Sequence, residues 1–217
     1  RLAVLRDLAI ESLSLPDVRV LGDTLPGVAR DTCFFNRSAQ RDVSGTLIVR
    51  HWPENTEIAR LPNVDQDAHF QFSPQPELML LVNQTTSQLW QWRIGDSDAE
   101  LVVQLPSQQG KLIDLSFSRN AQRILLWYQS TTNCNAQVVD WTRGQICFER
   151  SMPLAEDRAR LSPDGRFLSA IDGKYSEPAS HVVRAIEIDS GDELARLEHR
   201  DSVCSTAWHP NSQPLSV

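Results

Sequence analysis

Four stretches of this chain repeat one pattern: "HFQFSPQPELMLLV" (69–82), "DLSFSRNAQRILLW" (114–127), "ARLSPDGRFLSA" (159–170) and "TAWHPNSQPLSV" (206–217). In each, an apolar residue precedes Ser-Pro or a substitute, polar turn residues follow, and an apolar run closes the unit. The anchors are Ser73, Ser118, Ser162 and His209, at steps of 45, 44 and 47 residues. A fifth, degraded copy begins at "CFFNRSAQ", with Asn36 in the anchor position. A fixed period of this length means stacked supersecondary units, each unable to bury its apolar face alone.

A second signal runs at the same period. "TLIVRHW", "SQLWQW", "AQVVDW" and "VVRAIEID" alternate apolar and polar residues and end near Trp52, Trp92, Trp141 and Asp189. Each precedes a polar turn ("PENT", "GDSD", "TRGQ", "SGDE") and another short apolar segment such as "EIARLP" or "ELARLEH". One period therefore reads strand, turn, strand, loop, strand, turn, strand. Four short strands in this span match a β-propeller blade, which takes about 40 to 45 residues. The expected fold class is all-β: a propeller of four-stranded antiparallel blades, with about four repeats visible plus the start of another. No helical period occurs after residue 15. Before it, Leu2, Leu5, Ala9 and Leu13 approximate one face of a short helix that Pro16 stops. The expected division is residues 1–15 as helix or linker and 16–217 as partial propeller.

The best-formed repeat also shows why the chain bends. Pro163 presets φ near −65° for the first central turn position, Asp164 tolerates the second, and Gly165 supplies the positive φ that closes a hairpin. An isolated Asp-Gly would leave a ligand loop open. A turn repeated at one phase, with Ser162 as its anchor, reads as the bend between the first two strands of a blade.

Composition removes several function classes. The 217 residues carry 28 acidic and 21 basic side chains, a net charge of −7, and no basic cluster free of acids. Such a chain repels phosphate backbones, so no nucleic-acid partner is expected. Trp52, Trp90, Trp92, Trp127, Trp141 and Trp208 all fall on expected strands or strand ends, which assigns them to packing between blades. No apolar run approaches the roughly 18 residues of a membrane span, and charges interrupt the first segment where a signal peptide would be apolar. Cys33, Cys134, Cys147 and Cys204 are too sparse for a disulfide scaffold and read as buried thiols. A reducing compartment, the cytoplasm, is favoured. Both ends look cut, and the expectation is a piece of a longer protein, or a chain whose first segment supplies an outer strand to the last blade.

Sites with explicit chemistry do not assemble from spacing. Asp96-x-Asp98-x-Glu100 lacks the glycine and the twelfth-position glutamate of a calcium loop. His51, His69, His181, His199 and His209 lack zinc-type spacing, and no Gly-x-Ser-x-Gly occurs. No cofactor, metal site or catalytic residue is expected. "NRS" and "NQT" match glycosylation sequons by chance.

"LEHRDSVCSTAWHPNSQPLSV" resembles the start of a WD-repeat blade. His199 stands where that family places the histidine of its Gly-His pair, and Asp201, Val203 and Trp208 fall on its usual positions. Glu198 replaces the glycine, and no blade ends in Trp-Asp. The resemblance therefore implies blades held by apolar packing more than by that family's buried polar network. "LRDLAIESLSLPDVRV", "GTLIVRHWPENTEIARLP" and "LSPDGRFLSA" are similar to the propeller region of bacterial proteins in which WD-type repeats follow a serine/threonine kinase domain. "HRD" at 199–201 is no kinase loop, because Thr206 stands where that loop needs a metal-binding asparagine.

In a propeller, loops between second and third strands share a face with the loops joining blades. The longest here is "DGKYSEPASH" (172–181), where Lys174, Tyr175, Glu177 and His181 are the expected partner-binding residues and Pro178 stiffens the loop. "YQSTTNCNA" (128–136) is next, with Tyr128 at its base. The expected role is a noncatalytic scaffold or docking segment for a protein partner within a larger signalling protein. The alternative is an enzymatic or small-ligand propeller, with Asp172, Glu177, His181 and Asp201 converging at the channel mouth.

Overall fold

The computed structural model describes residues 28–30, 37–51, 54–75, 77–106, 110–153, 159–172, 181–199, 206–208 and 214–216. Every element among them is a strand. The first sheet is β1 (Val28–Arg30), β2 (Arg37–Arg41), β3 (Leu47–His51) and β4 (Glu57–Leu61); the second is β5 (Ala68–Phe72), β6 (Leu78–Asn83), β7 (Gln88–Arg93) and β8 (Glu100–Gln104). The third is β9 (Lys111–Phe117), β10 (Arg123–Gln129), β11 (Asn133–Asp140) and β12 (Gln145–Pro153). The fourth is β13 (Arg160–Leu161), β14 (Phe167–Asp172), β15 (His181–Glu187) and β16 (Glu193–His199); a hairpin of β17 (Thr206–Trp208) and β18 (Pro214–Ser216) follows. Each four-stranded sheet runs in chain order with antiparallel pairs throughout. First strands touch in succession, β1 to β5, β5 to β9, β9 to β13 and β13 to β17, so the sheets stack as propeller-like blades around their first strands.

Second strands show why this stacking suits the sequence. β10 reads Arg-Ile-Leu-Leu-Trp-Tyr-Gln, apolar without alternation, because both of its faces are covered. Leu125 and Trp127 point into the core shared with the fourth blade, together with Leu168, Ala170 and Ile186. Ile124, Leu126 and Tyr128 point into the core shared with the second blade, against Leu80, Val82 and Leu89. β6 divides the same way: Met79 and Leu81 join the first blade's Leu47, Val49 and Leu61, while Leu80 and Val82 face the third blade. Each seam also buries one tryptophan: Trp92, then Trp141, then Trp127. At about 25 cal/mol per Å² of apolar surface, these three cores are the main stabilising term. The packing role read for those three side chains holds; Trp52 lies outside the described residues.

The Ser-anchored turns fall where the repeat placed them. Ser73, Ser118 and Ser162 directly follow β5, β9 and β13 and are buried. The Ser162 hydroxyl accepts the Phe167 amide at 2.9 Å and donates to the Asp164 carboxylate at 2.7 Å. Gly165 has φ +73°, as the turn requires. In the third blade Ser118 does the same with Arg123 and Asn120, and Ala121 takes the positive φ (+57°). Asn36 and His209, the other two anchors, and the helix expected over 1–15 lie outside the described residues.

One repeated feature is absent from the sequence reading. The pairing of third and fourth strands skips one residue in every blade: Ile58, Val102, Cys147 and Leu194, at steps of 44, 45 and 47. These are β-bulges, which bend the outer strand and sharpen its twist. No helix among the described residues is long and apolar enough to cross a membrane.

Candidate functional site

The connections sort onto two ends of the sheet stack. At one end, loops between second and third strands meet the segments joining blades. The Val64 amide donates to the Gly45 carbonyl at 2.8 Å, the Leu105 amide to the Ser87 carbonyl at 2.7 Å, and the Gln84 side-chain amide to the Gly110 carbonyl at 2.6 Å. Gly110 lies so close to the next such loop that a Cβ there would sit 2.6 Å from the Gln129 carbonyl oxygen. At the opposite end the Ser-anchored turns lock to one another: the Asn120 amide donates to the Pro163 carbonyl at 3.0 Å, and its side chain to the Asp164 carbonyl at 2.8 Å. The Pro163-Asp164-Gly165 turn is thus a hairpin bend that also joins two blades.

The first end is the one on which the sequence places a partner site. Its second-to-third-strand connections span 42–46, 84–87, 130–132 and 173–180, so the fourth is the longest. Lys174, Tyr175, Glu177 and Pro178 within it, and Asp201 beyond β16, lie outside the described residues. Asp172 ends β14 and His181 begins β15, so both flank that connection. His181 pairs in register with His199, the last residue of β16; of the two, only His181 is an expected partner contact, His199 being a structural repeat position.

Tyr128 is corrected by its surroundings. It is 3 % exposed in the core between the second and third blades, and that burial pushes its phenol well above the usual range. A side chain so placed packs blades together and offers nothing to a partner. Trp208 of β17 stacks on Phe167 with ring centroids 6.0 Å apart and donates to the Arg160 carbonyl at 3.1 Å, tying the hairpin to the fourth blade. Thr206 adds a buried hydroxyl pair with Ser169 at 3.0 Å. Among the cysteines, Cys134 is buried and Cys147 half-buried, its thiol pushed up chiefly by burial. Cys33 and Cys204 lie outside the described residues.

Sequence reasoning missed a cavity of about 400 Å³ at the seam of the first two blades. Its lining combines Leu61 of β4, Val64 and Asp65 of the joining segment, Asn83 of β6, Gln88 and Trp90 of β7, and Asp98 of the next turn. Two of these could have been noticed: Trp90 is a second tryptophan two residues from the buried Trp92, on the same face of the strand, and Asp98 belongs to the acidic turn that lacks the pattern of a calcium loop.

No family model matches the sequence, and no curated protein matches it. Among solved structures, hydrazine synthase from Kuenenia stuttgartiensis superposes on 85% of this chain and 58% of its own, with a TM-score of 0.60 at 13% identity. At that identity the likeness is one of fold, and the chain spans less than two thirds of the solved chain's length.

Proposed function

We propose that this chain is a WD-type propeller segment that docks a protein partner, as a noncatalytic scaffold or sensor within a larger signalling protein. The observation that carries the reading is the connection between β14 and β15. Its fellows at 42–46, 84–87 and 130–132 are shorter, while this one spans 173–180 on the end where blade-joining segments gather. Blades packed through three continuous cores fix the geometry, and an insertion at one end of one blade is where a repeat protein acquires specificity. Lys174, Tyr175, Glu177 and His181 are the proposed contacts, supplying both charges, an aromatic and a titratable ring.

The test is a pull-down comparing wild type with a variant in which 174–180 is replaced by Gly and Ser. Partners lost on replacement, at unchanged thermal stability, support docking through this connection. Retention of every partner, or no partner for either form, removes it.

A further inference from the structure

We propose that the cavity between the first and second blades binds a small organic cation: a substituted ammonium with an apolar body, set against Trp90 and neutralised by Asp65 and Asp98. The inference stands apart from the docking reading, which concerns a different connection and a macromolecule.

Charge narrows the ligand first. Two carboxylates line the cavity, and no Lys, Arg or His does. An anion is excluded by that lining. Neither carboxylate has an ion-pair partner among the described residues. Asp65 accepts neutral donors only, the Asn83 side-chain amide at 2.9 Å and the Asp67 backbone amide at 3.1 Å. These hydrogen bonds, with more distant attraction from Arg41, hold its carboxyl below the usual range, so it is ionised at neutral pH. Arg41 itself donates to the backbone carbonyls of Asp65 and Ala68. Asp98 accepts the Ser97 hydroxyl and is otherwise open to solvent.

The neutral polar groups narrow it further. A sugar would need amide groups free to form paired bonds with its hydroxyls. Here two of the three lining amides are engaged: Asn83 donates to Asp65 and accepts the Thr86 amide, while Gln88 accepts the Thr86 hydroxyl and donates to Gln104. The third, Asn63, is exposed, and one amide alone cannot pair with a ring of hydroxyls. What remains for a ligand is carboxylate charge, the half-buried Trp90 ring, the apolar Leu61, Val64 and Leu81, and the single exposed amide of Asn63. An aromatic face attracts a cation through its quadrupole, and methyl groups on nitrogen match an apolar wall. About 400 Å³ is within the range of small-ligand sites.

The experiment is calorimetric titration of the protein with choline and with 3,3-dimethyl-1-butanol, its uncharged isostere. Choline is expected to bind at least about tenfold more tightly than the alcohol, and less tightly as salt is raised. Asp98→Asn, an exposed and conservative change, is expected to weaken choline severalfold at unchanged melting temperature; Trp90→Leu is expected to weaken both probes. Equal affinities for the two probes, no choline binding, or choline binding indifferent to Asp98→Asn overturns the proposal. So does binding of glucose in preference to choline, which would make the cavity a polyol site.

Discussion

Arg123 in the second strand of the third blade forms an ion pair with Asp189, in the turn after the third strand of the fourth. Its other terminal nitrogen donates to the Gly165 carbonyl at 3.0 Å. The arginine side chain is 17% exposed and the aspartate 63%, so the two partners stand in different dielectric surroundings. One side chain thereby clamps a Ser-anchored turn and a third-to-fourth-strand turn of the neighbouring blade at once.

That asymmetry predicts unequal mutants. Asp189→Ala removes an exposed charge and is expected to cost no more than about 1 kcal/mol. Arg123→Met also strands the Gly165 carbonyl in a blade interface, for a loss of about 1.5–3 kcal/mol. Urea denaturation of the two single variants and the double variant measures both costs and their coupling. Equal costs would mean that the carbonyl bond contributes nothing.

Two turn glycines isolate the contribution of blade contact. Gly144 and Gly191 occupy the same connection in consecutive blades, with φ +62° and +75°. A Cβ on Gly144 would meet the Val102 carbonyl, at the bulge of the preceding blade, at 2.8 Å, whereas a Cβ on Gly191 meets nothing within 4 Å. Gly191→Ala is expected to cost about 1 kcal/mol from its positive φ alone. Gly144→Ala carries that cost plus displacement of backbone, another 1 kcal/mol or roughly more. Thermal melting of the pair checks this: a Gly144 variant as stable as the Gly191 variant would show that the seam yields freely.

The Ser-anchored turn gives a third prediction. Ser162→Ala deletes the acceptor of the Phe167 amide and the donor to Asp164 in a buried position. A buried N–H left without a partner costs about 1–3 kcal/mol. Ser162→Thr keeps the hydroxyl and is expected to recover most of the loss. Denaturant midpoints of both variants decide whether the hydroxyl or the volume matters.

These turns were also what made the fold legible. A turn after an anchoring Ser or its substitute bends by local chemistry, so the recurrence of that position, at 73, 118, 162 and 209, carries the blade period in the sequence itself. Continuous apolar runs such as "ILLW" located second strands, although one run cannot say which residue faces which neighbour. The bulges at Ile58, Val102, Cys147 and Leu194 stay hidden in the sequence, because a skipped residue shows only as a shift of register against the third strand, and segments such as "EIARL" and "ELVVQ" carry no strict alternation from which to read it. Tyr128 reads from sequence as the base of a second-longest loop over 128–136, but β10 and β11 leave only 130–132 between them, the shortest of the four connections, and burial of both faces of β10 puts Tyr128 in the core. The cavity was illegible for a different reason: its lining spans 61–99 across two blades, and only the seam brings those residues together.

A pH dependence follows from His69 in β5. Burial, then repulsion from Lys111 on the adjacent first strand β9 and from Arg41, lowers its pKa below 6.5, with Asp67 opposing weakly. A depressed histidine binds its proton less readily folded than unfolded. Its contribution is therefore fully present above 6.5 and is lost as pH falls through that value towards the folded one. Between pH 7.5 and about 5, above the range of the carboxylates, wild type is expected to lose stability faster than His69→Gln. Parallel profiles for the two proteins would remove His69 as the cause.

Gln137 of β11 is the last residue to weigh. It is 0% exposed, and neither side-chain amide atom has a hydrogen-bond partner among the described residues. It pairs with Leu126, so its side chain belongs to the face that packs against the second blade. An amide desolvated without compensation costs about 1–3 kcal/mol, whereas methionine fills nearly the same volume with no polar atom. Gln137→Met is therefore expected to raise stability by about that amount, and Gln137→Ala to lower it by leaving a void. Loss of stability in the methionine variant would show that the amide is satisfied in solution, with an internal water as its partner, and that this seam is a hydrated one.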